Sequence, residues 1–158
     1  MALRLKLQLL SLELEAPTGV ELVPITPDLV RASERRPDGA PIGELEVTTF
    51  KAALLIDRDG ILADKARTLA EAAAPQAMVD SCDPITLGGI SGYRASAYVR
   101  GKDRPALPYI HVVVLAPDDL RVNAGVVITA RSQRLEWVAG DAIIASLKVL
   151  GRRGAANE

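Results

Sequence analysis

Residues 93–115, YRASAYVRGKDRPALPYIHVVVL, carry the pattern from which the fold follows. Tyr93 to Arg100 alternates, with Tyr93, Ala95, Ala97 and Val99 on one side and Arg94, Ser96, Tyr98 and Arg100 on the other, the period-2 signature of a half-buried strand. Gly101 to Pro105 predicts a hairpin loop. Ile110 to Leu115 is apolar at almost every position, as a central strand covered on both faces requires. A parallel crossover needs about a dozen residues or more, so strands joined by so short a loop run antiparallel.

Toward the C-terminus, Pro117-Asp118-Asp119 predicts a turn into a strand from Arg121 to Ala130. Ser132 is placed to cap a last helix over Gln133 to Leu150, with Trp137, Leu135, Ile143, Ile144 and Leu147 as its core residues and Gly151 just past its end. Toward the N-terminus, Gly88-Gly89 predicts a tight turn. Ile61 to Ala74 predicts a helix with Leu62, Ala66, Leu69 and Ala73 on one face, stopped by Pro75. Glu44 to Thr49 alternates, Ala52 to Ile56 is a short apolar run, and Gly19 to Ile25 allows a short strand between prolines. Arg31 to Pro41 is polar and turn-rich and reads as an exposed loop. Leu3, Leu5, Leu7 and Leu9 alternate with Arg4, Lys6 and Gln8. The phase then slips to Leu10, Leu12 and Leu14, which predicts a bulge or bend near Leu9 and Leu10. The whole reads as α+β, an antiparallel sheet flanked by helices, in one domain over residues 1–158.

Composition excludes several function classes. Nineteen Lys and Arg against twenty Asp and Glu leave a net charge of −1, which argues against a partner held by excess positive charge, whether nucleic acid or an anionic membrane surface. One Cys and one His exclude a zinc knuckle, a zincin and any disulfide within the chain. No apolar run approaches the ~20 residues that span a bilayer. The charges that interrupt Met1 to Leu14 are incompatible with a signal peptide, so the expected location is the cytoplasm, where an unpaired Cys82 is ordinary.

Few residues invite a chemical role. His111 is the one imidazole, but it lies in the most apolar strand with no nucleophile near it in sequence. Cys82 has no partner for a metal or redox motif. Gly88-Gly89-Ile90-Ser91-Gly92 lacks the Lys-Ser/Thr of a phosphate loop and leads into a strand instead of a helix. Arg94, Arg100 and Arg131 make a basic strip only if their strands are neighbours, and five aromatics leave little to stack on bases. These residues give no catalytic, cofactor-binding or metal-binding assignment.

Leu54-Leu55-Ile56-Asp57-Arg58-Asp59-Gly60-Ile61-Leu62 resembles the first motif of the haloacid-dehalogenase-like phosphatases. The resemblance implies Asp57 as nucleophile, Asp59 as acid/base, and magnesium to offset the phosphate charge. The remaining constellation is missing: some fifty residues precede the motif, and Gly140-Asp141, faintly similar to the acidic metal-binding motif, falls inside the last helix with Ala145 where a second acid is wanted. The same residues make a strand-to-helix turn with Asp59 helping to cap the helix.

A wider resemblance begins at Ala53. An apolar strand closes on Ile56-Asp57-Arg58-Asp59, a helix carries Leu69-Ala70, and Ile85-Thr86-Leu87-Gly88-Gly89-Ile90-Ser91-Gly92-Tyr93-Arg94 turns into a strand. Strands near Tyr109 to Leu115 and Thr129 follow, then Ile143-Ile144-Ala145-Ser146-Leu147; Ser11 to Gly19 matches the opening strand and its Pro-Gly turn. This order is similar to the PsbP-like superfamily, which includes the oxygen-evolving subunit PsbP, a Ran-binding nuclear transport factor, DcrB-type proteins and the Eag chaperones of type VI effectors. The resemblance implies an α/β/α sandwich and binding or scaffolding without catalysis, and it supplies no active-site residues. Two features depart from it: Arg31 to Pro41 has no counterpart, and no lipoprotein or export signal is seen. The expectation is therefore a non-catalytic protein-binding, adaptor or chaperone-like module with no cofactor. Its partner is another protein, with self-association through an edge-placed first strand in view. The alternatives are the magnesium-dependent phosphatase and a small-ligand carrier.

Overall fold

The computed structural model describes residues 2–6, 10–51, 57–117 and 124–152, with side chains for all but 2–6 and 151–152. Ten strands and two helices are described in the order β1 (Ala2–Lys6), β2 (Leu10–Glu15), β3 (Glu21–Thr26), β4 (Leu29–Arg35), β5 (Pro41–Lys51), α1 (Arg58–Ala72), β6 (Met78–Leu87), β7 (Ile90–Tyr98), β8 (Tyr109–Ala116), β9 (Ala124–Ser132), α2 (Val138–Ala145) and β10 (Lys148–Arg152). Seven strands form one sheet in the order β3-β4-β5-β9-β8-β7-β6, and β1-β2-β10 form a second. Every pairing is antiparallel. The expected α+β class with an antiparallel sheet and flanking helices is what the chain adopts.

Alternation in β8 and β9 divides the core between the two faces of the large sheet. Val113, Leu115, Val126, Ile128 and Ala130 join Leu10, Leu12 and Leu14 of the small sheet with Ile143 and Ile144 of α2. Ile110, Val112, Val114 and Val127 face the other way and pack on Leu62, Ala66 and Ala70 of α1. The apolar run read as a doubly covered strand is therefore covered by a sheet on one side and a helix on the other. The layers are offset. Helix α1 lies over β6, β7 and β8, whereas the small sheet and α2 lie mainly over β4, β5, β9 and β8.

Three expectations need correction. Arg31 to Pro41 is not a loop throughout: β4 reaches Arg35, and only residues 36–40 turn. Val30 and Ala32 are buried, while Arg31 donates to Glu46 Oε1 at 2.8 Å on the outer face, so polar outward residues masked a strand. The last helix spans only Val138–Ala145, and Lys148–Arg152 forms β10 instead. Ser146 ends that helix: its Oγ accepts from Glu15 N at 2.9 Å and donates to the Ile143 carbonyl at 2.7 Å. Ser132 caps nothing. It ends β9 and donates to the Arg134 carbonyl at 2.7 Å, and Leu135, expected in the core, is 65% exposed. The bulge or bend expected near Leu9 and Leu10 falls between β1 and β2, which pair antiparallel with Leu5 opposite Leu12. The bend itself, the run Ala52 to Ile56 and the turn at 118–119 lie outside the described residues.

Candidate functional site

The Asp57-Arg58-Asp59-Gly60 turn is built as a helix start. Asp57 is the N-cap of α1, its carboxylate accepting from Gly60 N at 3.3 Å, so the cap is Asp57 and not Asp59. Asp59 sits in the first turn, where a negative charge suits the helix dipole, 71% exposed and 3.2 Å from Arg58 Nη1. Arg58 is the residue that sequence reasoning passed over. Its Nη2 donates to the Ser91 carbonyl at 2.8 Å and to the Ala116 carbonyl, tying the start of α1 to the ends of β7 and β8. A phosphatase needs a parallel sheet with both carboxylates converging on one pocket. Here the sheet is antiparallel, one carboxylate caps a helix and the other faces solvent. Among the described residues, no three His, Cys, Asp or Glu cluster to hold a metal. Asp57→Asn is accordingly expected to leave stability within about 0.5 kcal/mol, because Asn caps as well as Asp, whereas Asp57→Ala loses about 1 kcal/mol. Urea unfolding checks both. Magnesium-dependent hydrolysis of p-nitrophenyl phosphate, lost in Asp57→Asn, would reverse this assignment.

The glycine-rich stretch is likewise structural. Gly88 and Gly89 take φ of 56° and 87°, as the central residues of a two-residue hairpin turn must. A Cβ on Gly88 would overlap the Leu147 carbonyl, so the β6–β7 turn lies directly against the chain between α2 and β10. Cys82, in β6, faces α1 with its Sγ 3.7 Å from the Ala63 carbonyl, on the side of the sheet opposite His111. The three arginines form no strip. Arg94 reaches α2 and lies 3.2 Å from Asp141, Arg131 pairs across to Ile110 on the α1 face, and Arg100 sits 4.7 Å over the Tyr98 ring.

The offset layers leave part of each sheet face less covered. On the α1 side that part lies over β4 and β5 and carries the ion pairs of Arg31 with Glu46 and Glu44. On the α2 side Ile90, Gly92, Val113 and Leu115 are buried, and the less covered part is the other end of β6, β7 and β8, bounded by Asp141 of α2 at Arg94 and by Leu135 at His111. The register there sets Tyr98 opposite Tyr109, Ser96 opposite His111 and Ser81 opposite Ser96. Tyr98, Tyr109, His111, Ser96 and Arg94 are all half-buried, belonging to neither core cluster. Ser96 Oγ and His111 Nδ1 are hydrogen-bonded at 2.9 Å. No sequence signal paired them, because the partners sit on adjacent strands across a long loop.

Burial holds His111 below its ordinary pKa of 6.5, and the Arg94 guanidinium adds to this; Asp141, the Leu135 carbonyl and Asp80 oppose it. A native pKa below the unfolded one means the unfolded chain takes up the proton first. Stability therefore falls as pH drops below 6.5 through the native value. The urea midpoint is expected to decline over that window, and to decline less in His111→Gln. Equal slopes in the two chains would contradict the assigned environment.

A second feature adjoins this face. Trp137 is buried, its indole against Gly43 of β5 and Gly140 of α2, and its Nε1 donates to Glu34 Oε1 at 3.0 Å. It floors a groove of about 560 Å3 walled by Pro17, Ile42, Val138 and Arg36. Among the described residues no helix is long and apolar enough to cross a membrane.

The arrangement is similar to the solution structure of cyanobacterial PsbP from Synechocystis sp. PCC 6803, with a TM-score of 0.56 over 87% of this chain and 86% of that one. The fold is PsbP-like. At 15% identity the likeness to PsbP is one of fold alone. A crystal structure from Bacteroides thetaiotaomicron VPI-5482 also matches, with a TM-score of 0.43 and 11% identity over 89% of this chain. The chain spans 45% of that longer one. No protein-family model and no curated protein matches the sequence.

Proposed function

We propose that this chain is a single-domain, non-catalytic protein-binding module, adaptor or chaperone-like, working in the cytoplasm and taking its partner on the half-buried sheet face over β6, β7 and β8. The observation that carries this reading is the composition of that face: two tyrosines, a histidine, serines and an arginine, half-buried on the large sheet. Tyrosine and arginine are enriched where protein partners dock, because they offer large contact areas with a polar end. Leu135, 65% exposed and hydrogen-bonded through its carbonyl to His111, adds apolar surface beside it. The fold supports the reading in that every sheet pairing is antiparallel, whereas the phosphatase requires a parallel sheet.

The test is recovery of the tagged chain from its native lysate in three forms: wild type, Tyr98→Ala/Tyr109→Ala, and Arg31→Ala on the opposite face. A stoichiometric partner retained by wild type and Arg31→Ala but lost by the tyrosine variant supports the proposal. Recovery of the chain alone, or equal retention by all three, contradicts it. The small-ligand reading rests on the Trp137 groove, where a bound molecule would shift the emission of the chain's single tryptophan.

A further inference from the structure

The two sheets have four edge strands, β1, β10, β3 and β6. An unpaired edge is a template for another strand, and proteins blunt it with proline, bulges or charge. β3 carries Pro24 and a register shift between Pro24 and Thr26; β6 carries Pro84 and a shift between Val79 and Ser81; β10 shifts between Val149 and Gly151. β1 has neither a proline nor a register shift. Its pairing with β2 runs unbroken from Ala2 opposite Glu15 to Lys6 opposite Ser11, and among the described residues its other edge has no neighbour.

What β1 does have is charge of one sign. Arg4 and Lys6 alternate in sequence with Leu3 and Leu5, and no acid occurs among residues 2–6. The strand already paired with it is its complement, since β2 alternates Leu12 and Leu14 with Glu13 and Glu15, and Arg4 takes the register position opposite Glu13. Opposite charges facing across strands stabilise the pair and like charges oppose it. The two-fold pairing that would use the whole of β1 against a second copy sets Arg4 of one chain opposite Arg4 of the other. The edge therefore disfavours its own copy and favours an acidic strand, the selective repulsion by which interfaces choose partners.

We propose that β1 is a second docking element, which accepts an extended segment of a partner protein, acidic at alternate positions and apolar between them, as an added antiparallel strand. This rests on the protein-binding reading but uses a different surface from the tyrosine face. The probes are two synthetic peptides with solubilising ends, one alternating Leu and Glu and one alternating Leu and Lys. The readout is amide hydrogen exchange of the full chain. The Leu-Glu peptide is expected to protect amides of residues 2–6, not those of β3 or β6, and to lose affinity as salt is raised. Arg4→Gln/Lys6→Gln is expected to weaken it by about five- to thirtyfold. The Leu-Lys peptide, tested on the unaltered chain, is expected not to bind, so the result does not depend on how well a variant folds.

Equal binding of both peptides, protection at β3 or β6, or no protection at β1 overturns the proposal. Concentration-dependent protection of β1 without peptide overturns it in favour of a second copy. The wider reading fails separately, when the tyrosine variant retains the same partner as wild type.

Discussion

Gly92→Ala is expected to destabilise the chain by about 4 kcal/mol or more, enough to leave little folded protein. Gly92 is fully enclosed in β7, and a Cβ there would overlap the Val114 carbonyl oxygen and crowd the Leu115 backbone of β8. What lies in the way is the backbone of an interior strand of a seven-stranded sheet, so no side chain can swing aside and the β7–β8 ladder itself must part. Gly89→Ala supplies the contrast. Its φ of 87° strains an L-residue, but nothing lies within 4 Å of the added methyl, and the cost is that of one left-handed residue, about 1–2 kcal/mol. Urea unfolding of the two variants separates the effects. Equal and small losses would show that β7 and β8 are not packed as described.

Trp137→Ala is the second large effect, expected at about 3–5 kcal/mol and a fall in Tm of about 10 °C. The indole fills the space between Gly43 and Gly140, which have no side chains to close over a cavity, and so couples α2 to the large sheet. Trp137→Phe keeps most of that filling and loses the bond from Nε1 to Glu34, worth about 1 kcal/mol. Circular dichroism melts of both variants check the order. A Trp137→Ala chain as stable as Trp137→Phe would mean that the hydrogen bond, and not the packing, holds α2 in place.

The same physics explains which parts of the fold were readable. β7 announced itself by burying Ala95 and Ala97 in alternation, and β8 and β9 because cover on both faces makes them apolar at consecutive positions, as at Val112 to Leu115 and Val126 to Ile128. β6 was not anticipated: with Pro84, Asp80 and Asp83 it resembles a loop, as an edge strand in contact with solvent is free to do. Ile143 to Val149 satisfies a helical and a two-residue period at once. Only the tie between Ser146 and the end of β2 shows where helix stops and strand begins. The PsbP-like resemblance was legible because its glycines answer to backbone geometry: Gly88 and Gly89 make the turn, and Gly92 admits β8.

The candidate site was less readable than the fold. His111 stood out by type alone, and its partner Ser96 became visible only when the register set the two opposite each other. The half-buried patch has no signature in one sequence, because it results from where α2 and the small sheet stop short over β6, β7 and β8. Arg94 and Asp141 are neighbours because α2 reaches the edge of that patch.

The central claim is that a partner docks on the sheet face over β6, β7 and β8, and site-specific photocrosslinking in the native cell tests it most directly. A benzoylphenylalanine placed at Tyr109 on that face, and in a second chain at Glu46 on the opposite face, reports which surface is occupied. The account predicts one discrete crosslinked species from position 109 and none from position 46. A crosslink from position 46 alone, or the same species from both positions, would contradict it.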